Sequence, residues 1–234
     1  MSTEPTNAFR WHVLALWAGA WISIALVFSI WPGIDLATSA LFWEPGSGFV
    51  GNQSAILTFL HRIFNDLHWP ISLCGLGWLV AASFRPALRR HLGRGVVAFV
   101  LLTLILGPGG LGKATKDNWG RARPNAVQEF GGTKTFTPAL VKTDQCERNC
   151  SFIRGHAAFA FWFGALALAF GRQRLALGLS LGIGLPIGLM RIAQGGHFLS
   201  DVLFAGLFVM TLNILLYHLL RRPFGLGRKN QSEN

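Results

Sequence analysis

Six apolar runs punctuate the chain: Trp11–Trp31, His68–Phe84, Gly95–Leu111, Gly155–Phe170, Leu175–Met190 and Phe198–Leu220. Each reads as a helix that crosses a hydrocarbon core of about 30 Å, although four of them, at 16 or 17 residues, are shorter than the ideal span and have soft boundaries. The expected fold is all-α: a polytopic membrane protein whose six transmembrane helices form one domain over 1–234. Between the first two runs, Pro32-Gly33-Ile34-Asp35 makes a break. Ile56, Leu60, Ile63 and Leu67 then recur at helical spacing, with Thr58, Arg62, Asn65 and Asp66 elsewhere on the wheel. This predicts an amphipathic helix, either lying in the membrane interface or packed on the core. The third run closes on Gly107-Pro108-Gly109-Gly110, predicted to loosen the helix ahead of a long polar segment, Gly112–Arg154.

Composition supports the membrane class. Only 13% of the 234 residues are charged and 51% are hydrophobic, against about 25% charged in soluble domains. Trp11, Trp31 and Trp69 sit near run ends, as interfacial anchors do. The first run is too long for a signal-peptide core and lacks a small-residue cleavage pattern, so it reads as a retained helix. Alternating the six runs places 11 Lys/Arg and two acids on the side holding both termini, a balance of +9, and leaves +2 on the other. The positive-inside rule then puts both termini in the cytoplasm, and the arginines there require no nucleic acid. Pro32–Leu67, Gly112–Arg154 and the 191–197 turn share the opposite, extracytoplasmic face.

That face carries the candidate chemistry. Arg191, His197 and Asp201 lie close in sequence between two apolar runs, where ionisable residues are costly and commonly functional. A carboxylate one helical turn beyond a histidine can fix its tautomer; the plainer reading is an Arg–Asp pair stapling two helices. Gly195 and Gly196 would let backbone N–H groups approach an anion. Lys113, Lys116, Arg121 and Arg123 make a basic stretch outside the membrane, where an anionic headgroup is the natural partner. His156 opens another apolar run on the same face, preceded by Arg154 and Gly155. Cys146 and Cys150 lack the further ligands a zinc site needs, and a small disulfide loop is the better reading in an oxidising compartment. Cys74, within the second run, is expected to be a buried free thiol.

The order Lys116-x6-Arg123-Pro124, Gly155-His156, Arg191-x5-His197-x3-Asp201 resembles the three-part signature of the type 2 phosphatidic acid phosphatase (PAP2) superfamily, which spans membrane lipid phosphatases and soluble vanadium haloperoxidases. The motif region is 113–201. The resemblance implies a phosphatase that needs no cofactor or metal. Lys116, Arg123 and Arg191 would bind phosphate, with Gly155 and Arg154 beside them. His197 would attack phosphorus, Asp201 would orient it, and His156 would protonate the leaving oxygen. The family's Pro-Ser-Gly-His reads Ile153-Arg154-Gly155-His156 here, so Arg154 stands where a serine usually donates to phosphate, adding a cation or crowding the pocket. The third motif has Met190 where serine is common. The Cys-x3-Cys-Ser-Phe run and the Pro-Gly-Ile-Asp segment are similar to bacterial lipid A phosphatases. The implied partner is a membrane lipid phosphate at the periplasmic face of a bacterial inner membrane, with phosphatidic acid, phosphatidylglycerol phosphate and undecaprenyl pyrophosphate as the other substrates open. Two competing readings are a non-catalytic lipid-binding or transport protein disabled by Arg154, and a vanadate-dependent haloperoxidase, against which the apolar runs argue. The sequence leaves the oligomeric state open.

Overall fold

The computed structural model describes residues 7–111, 119–147, 150–152 and 155–227, with the backbone alone at 7–14, 89–91, 111, 155 and 156. Lys116 and Arg154 lie outside the described residues, as do Lys113 and Ile153.

The first apolar run forms α1 (Asn7–Ile30), and the chain then turns through Pro32 into α2 (Gly33–Ala40). The axes of Ala15–Ile30 and Gly33–Ala40 meet at 84°. A two-stranded antiparallel hairpin follows, β1 (Trp43–Glu44) and β2 (Gly48–Phe49), then a single 3-10 turn at Val50–Asn52. Helices α3 (Ala55–Asp66) and α4 (His68–Phe84) run on through Leu67 as one 30-residue helix. At 1.5 Å per residue it is about 45 Å long, well over the hydrocarbon thickness of about 30 Å. Its inward stripe is Leu57, Leu60, Phe64, Leu67 and Ile71. Of the four periodic positions, Leu60 and Leu67 pack inward, whereas Ile56 and Ile63 face outward together with Phe59. The helix is apolar on more than one side, which hides the inward stripe from a period count. Cys74 is exposed on this helix rather than buried, so that expectation is corrected; a bilayer makes an outward apolar side chain favourable.

Helix α5 (Pro86–His91) leads into α6 (Arg94–Leu104). The glycine-rich end of the third run does not unravel: Ile105–Leu111 stays helical with the wider π pattern. Pro108 inside it has no N–H for a regular α bond, and widening the turn accommodates the proline. The fourth run is split into α7 (Gly155–Trp162) and α8 (Gly164–Ala169), and the last two form α9 (Gln173–Ala193) and α10 (Leu199–Leu220).

The chain is mostly helical and built as a membrane protein. Among the described residues three helices are long and apolar enough to cross a bilayer, four if α1 and α2 count as one broken span, and 94–110 and 157–169 are shorter apolar helices. The core lies where α7, α9 and α10 meet. Phe161 packs where Gly184 of α9 and Gly206 of α10 leave room for its ring. Small residues substitute for a hydrophobic driving force, which lipid cannot supply between helices.

Candidate active site

The turn joining α9 to α10 carries Gln194 to Phe198 and is fully buried. Gly195 has φ +65°, and a side chain there would strike the Phe49 ring. A side chain on Gly196 would strike the Arg191 guanidinium. The N–H groups of both glycines close the end of α9, onto the carbonyls of Ile192 and Arg191 at 2.9 Å each. They are therefore not the anion cradle expected from the sequence; the glycines instead make room for Phe49 and Arg191. The Gly195 carbonyl accepts the Asn125 N–H at 3.1 Å, which docks the segment of Arg123 and Pro124 against the turn. Arg191 is buried, with Nη1 donating to Gln194 Oε1 at 2.6 Å. Arg123 is half-buried and precedes a short 3-10 turn at Pro124–Ala126.

His197 is 1% exposed, and its Nδ1 lies 2.8 Å from the backbone carbonyl of Ser151. A carbonyl oxygen only accepts, so Nδ1 bears a proton in this contact. Asp201 lies at the expected position one turn along, but its Oδ2 is 4.0 Å from Nδ1, beyond hydrogen-bond range. It is the Ser151 carbonyl, not the Asp201 carboxylate, that lies within hydrogen-bond range of Nδ1. The reason is occupancy: Asp201 Oδ2 accepts the Ser151 hydroxyl at 2.5 Å and the Phe198 N–H at 2.9 Å, and Oδ1 accepts from Arg121 Nη1 at 2.5 Å. By reaching back to the Phe198 N–H, Asp201 also caps α10 and places negative charge at its positive end.

Arg121 is the centre that sequence reasoning missed. Counted there as one more basic loop residue, it is wholly buried. Its Nη2 donates to Asp35 Oδ2 at 2.7 Å, its Nη1 also to Ser200 Oγ at 2.9 Å, and its Nε to the Thr137 carbonyl at 2.8 Å. The guanidinium lies 4.3 Å from the Phe198 ring centroid and 5.6 Å from that of Phe136. Asp35, from α2, also accepts the Ser200 N–H at 2.8 Å and the Ser200 hydroxyl at 2.5 Å. The Arg121 carbonyl accepts the Ser151 N–H at 2.9 Å. Arg121 thus holds Ser151 twice, through the backbone and through Asp201, and Ser151 in turn holds His197. Three buried charges are tolerated because nearly every polar atom has a partner. The bend after Pro32 is what delivers Asp35 to this cluster.

Gly120 has φ +68° and packs against the Thr143 carbonyl, where no side chain fits. It sets the path that turns Arg121 inward while Arg123 stays half-buried. Cys146 and Cys150 are joined in a disulfide, with Cα atoms 5.5 Å apart. Gly155 and His156 begin α7, and the His156 side chain lies outside the description, as do Lys116 and Arg154 altogether.

Residues 96–224, more than half of the chain, match the model of the PAP2 superfamily. The chain is 34% identical over 221 residues to a lipid A 4'-phosphatase of Francisella tularensis subsp. novicida (strain U112), covering 91% of this chain and 97% of that protein. It is 30% identical over 220 residues to a lipid A 4'-phosphatase of Rhizobium etli, covering 85% of this chain and 83% of that one. A lipid A 4'-phosphatase of Rhizobium leguminosarum is 31% identical over 198 residues, covering 78% and 85%. No solved structure matches significantly. With the signature residues His197, Arg191 and Asp201 buried together beside the Arg123 segment, and the family model spanning them, this chain belongs to the PAP2 superfamily.

Proposed function

We propose that this phosphoric ester hydrolase removes a phosphate monoester from lipid A by way of a phosphohistidine on His197, without a metal. The observation that carries the reading is the 2.8 Å contact of His197 Nδ1 with a carbonyl, because it makes Nε2 the nucleophilic nitrogen of a buried imidazole. Phosphoryl transfer depends mainly on in-line positioning and fixed positive charge. Lys116, Arg123 and Arg191 supply that charge in this reading, with Arg154 and Gly155 at the helix start. His156 protonates the leaving oxygen and then activates water. Lipid A is favoured over the other lipid phosphates because the relatives covered along most of their length carry that activity in their names.

The reading extends to topology. Six membrane-crossing segments in one domain over 1–234 put both termini in the cytoplasm of a bacterial inner membrane and the His197 turn on the periplasmic side. An apolar crevice of about 460 Å³, walled by Phe64, Leu104, Ile105 and Phe159 among others, lies between α3–α4 and the π turn. It gives an acyl chain a place beside the start of α7. The test is phosphate release by purified protein, with chelator present, from lipid A, phosphatidic acid, phosphatidylglycerol phosphate and undecaprenyl pyrophosphate. Release from lipid A at the highest kcat/KM is expected; release from none of them would refute the phosphatase reading.

A further inference from the structure

A recess distinct from the crevice described above lies at the end of the bundle opposite the catalytic turn. It is a cleft of about 250 Å³ between the start of α9 and the end of α10, walled by Leu177, Ser180, Met210, Asn213 and Ile214, with Trp17 contributed by α1. At 1.5 Å per residue, Asn213 stands about 21 Å along α10 from Leu199, far from His197. Leu177 is 47% exposed and Ile214 38%, so the cleft opens between them onto the outside of the bundle, where a bilayer supplies lipid. Asn213 itself is 2% exposed, and neither Nδ2 nor Oδ1 has a hydrogen-bond partner among the described residues. Its polar neighbours are engaged elsewhere: Ser180 Oγ donates to the Phe161 carbonyl at 2.8 Å, and Trp17 Nε1 to Thr211 Oγ1 at 2.8 Å. A buried amide left unsatisfied costs stability that a leucine of similar size would not. A polar group reaching it from the cleft accounts for the asparagine.

The same end is strongly cationic. The turn before α9 holds Arg172 and Arg174, the segment after α10 holds Arg221 and Arg222, and the connection from α4 to α6 holds Arg85 and Arg94, all exposed. These segments meet: the Gly227 N–H donates to the Ala169 carbonyl at 3.1 Å, and Gly95 packs against the Phe224 carbonyl. Among the described residues of 85–94, 171–174 and 218–227 there is no Asp or Glu. Gln173 and His218 also line the cleft, which puts its mouth beside Arg174 and Arg222. The complementary partner is an anion. Arg221 begins about 12 Å beyond Asn213 along the helix axis, and an arginine stem can lie back along apolar surface toward a head group nearer in. The ligand that fits has an apolar chain, an acceptor at the level of Asn213 and an anionic head beyond it. A glycerophospholipid has that layout in its acyl tail, ester carbonyl and phosphate.

We propose that this cleft is a binding site for an anionic glycerophospholipid that is held and not turned over. One acyl chain lies against Leu177, Met210 and Ile214, its ester carbonyl accepts from Asn213 Nδ2, and its phosphate faces Arg174 and Arg222. The experiment titrates the full-length protein in an uncharged detergent with dioleoylphosphatidylglycerol or dioleoylphosphatidylcholine and counts retained lipid by native mass spectrometry. Wild type is expected to retain one phosphatidylglycerol about tenfold more tightly than phosphatidylcholine, and Arg174→Gln/Arg222→Gln to lose that preference. Asn213→Leu is expected to weaken both lipids about fivefold, as for one hydrogen bond. Leu177→Trp narrows the cleft from its exposed edge without touching the amide and is expected to weaken both as well, which keeps the test open if Asn213→Leu folds poorly. Thermal unfolding gives a second readout: without lipid Asn213→Leu unfolds above wild type, and phosphatidylglycerol raises its midpoint less than that of wild type. Equal retention of the two lipids by wild type overturns the proposal. So does phosphatidylglycerol affinity that is unchanged in both Asn213→Leu and Leu177→Trp, which would leave the amide to water alone. None of these readouts uses phosphate release, so they stand or fall apart from the phosphatase reading.

Discussion

Replacing Arg121 by methionine keeps much of the side-chain volume and removes the charge that Asp35 and Asp201 share. The structure shows what is lost: two ion pairs at 2.7 and 2.5 Å, a hydrogen bond to Ser200 and one to the Thr137 carbonyl, all at a fully buried site. Two carboxylates are left facing each other without a counter-charge. Breaking a buried charge pair by removing one partner costs about 3–5 kcal/mol, more than the intact pair contributes, because the orphaned charge stays buried. For a chain of this length that corresponds to a fall of roughly 10 °C in the unfolding midpoint. Activity falls further, by at least about a hundredfold, because Ser151 loses one of its two anchors and a misplacement near 1 Å at a reacting group is that costly. The assay is thermal unfolding in detergent, followed by tryptophan fluorescence, together with phosphate release below the midpoint. Arg121→Met/Asp35→Leu removes one orphaned carboxylate and should recover about half of the lost stability without recovering kcat. An Arg121→Met protein within about 1 kcal/mol of wild type, below the ordinary cost of an unsatisfied buried group, and showing no coupling to Asp35, would refute this account of the cluster.

Further outcomes follow from the same geometry. Ser151→Ala keeps the carbonyl that holds His197 and deletes the hydroxyl on Asp201; kcat should fall about tenfold and stability by about 1–3 kcal/mol, read by phosphate release and unfolding. Gly195→Ala places a β-carbon against the Phe49 ring at φ +65° and should cost at least about 1–2 kcal/mol in stability, with loss of activity as the turn moves. Cys146→Ser/Cys150→Ser opens a loop closed over a separation of four residues, for which chain entropy gives a loss of about 2 kcal/mol on the unfolding midpoint.

The sequence and the structure part company at identifiable points. His197, Asp201, Arg191 and Arg123 were legible because they stand at motif spacing between apolar runs. The bend at Pro32 was legible because proline and glycine end helices. The partners of Asp201 were not. Arg121 sits two residues from Arg123 in a basic stretch, and nothing local distinguishes the buried arginine from the half-buried one. Its inward path depends on Gly120 packing against Thr143, a contact made across the loop. Asp35 offered a faint signal, an acid in an apolar setting, but its partner lies 86 positions away. The split of the periodic positions of α3, Leu60 and Leu67 inward and Ile56 and Ile63 outward, was not legible because lipid and protein both favour apolar side chains, so hydrophobic periodicity loses its power to tell the two faces apart. Ser151 acts through its carbonyl, which any residue possesses.

The central claim is that His197 takes the phosphoryl group on Nε2. Rapid acid-free quenching of the protein turning over lipid A labelled in its phosphate, followed by peptide mapping, tests it most directly. The account predicts an alkali-stable, acid-labile phosphate on the peptide containing His197, absent from His197→Ala, which releases no phosphate. Continued release by His197→Ala, or turnover with the label on another residue, would contradict it.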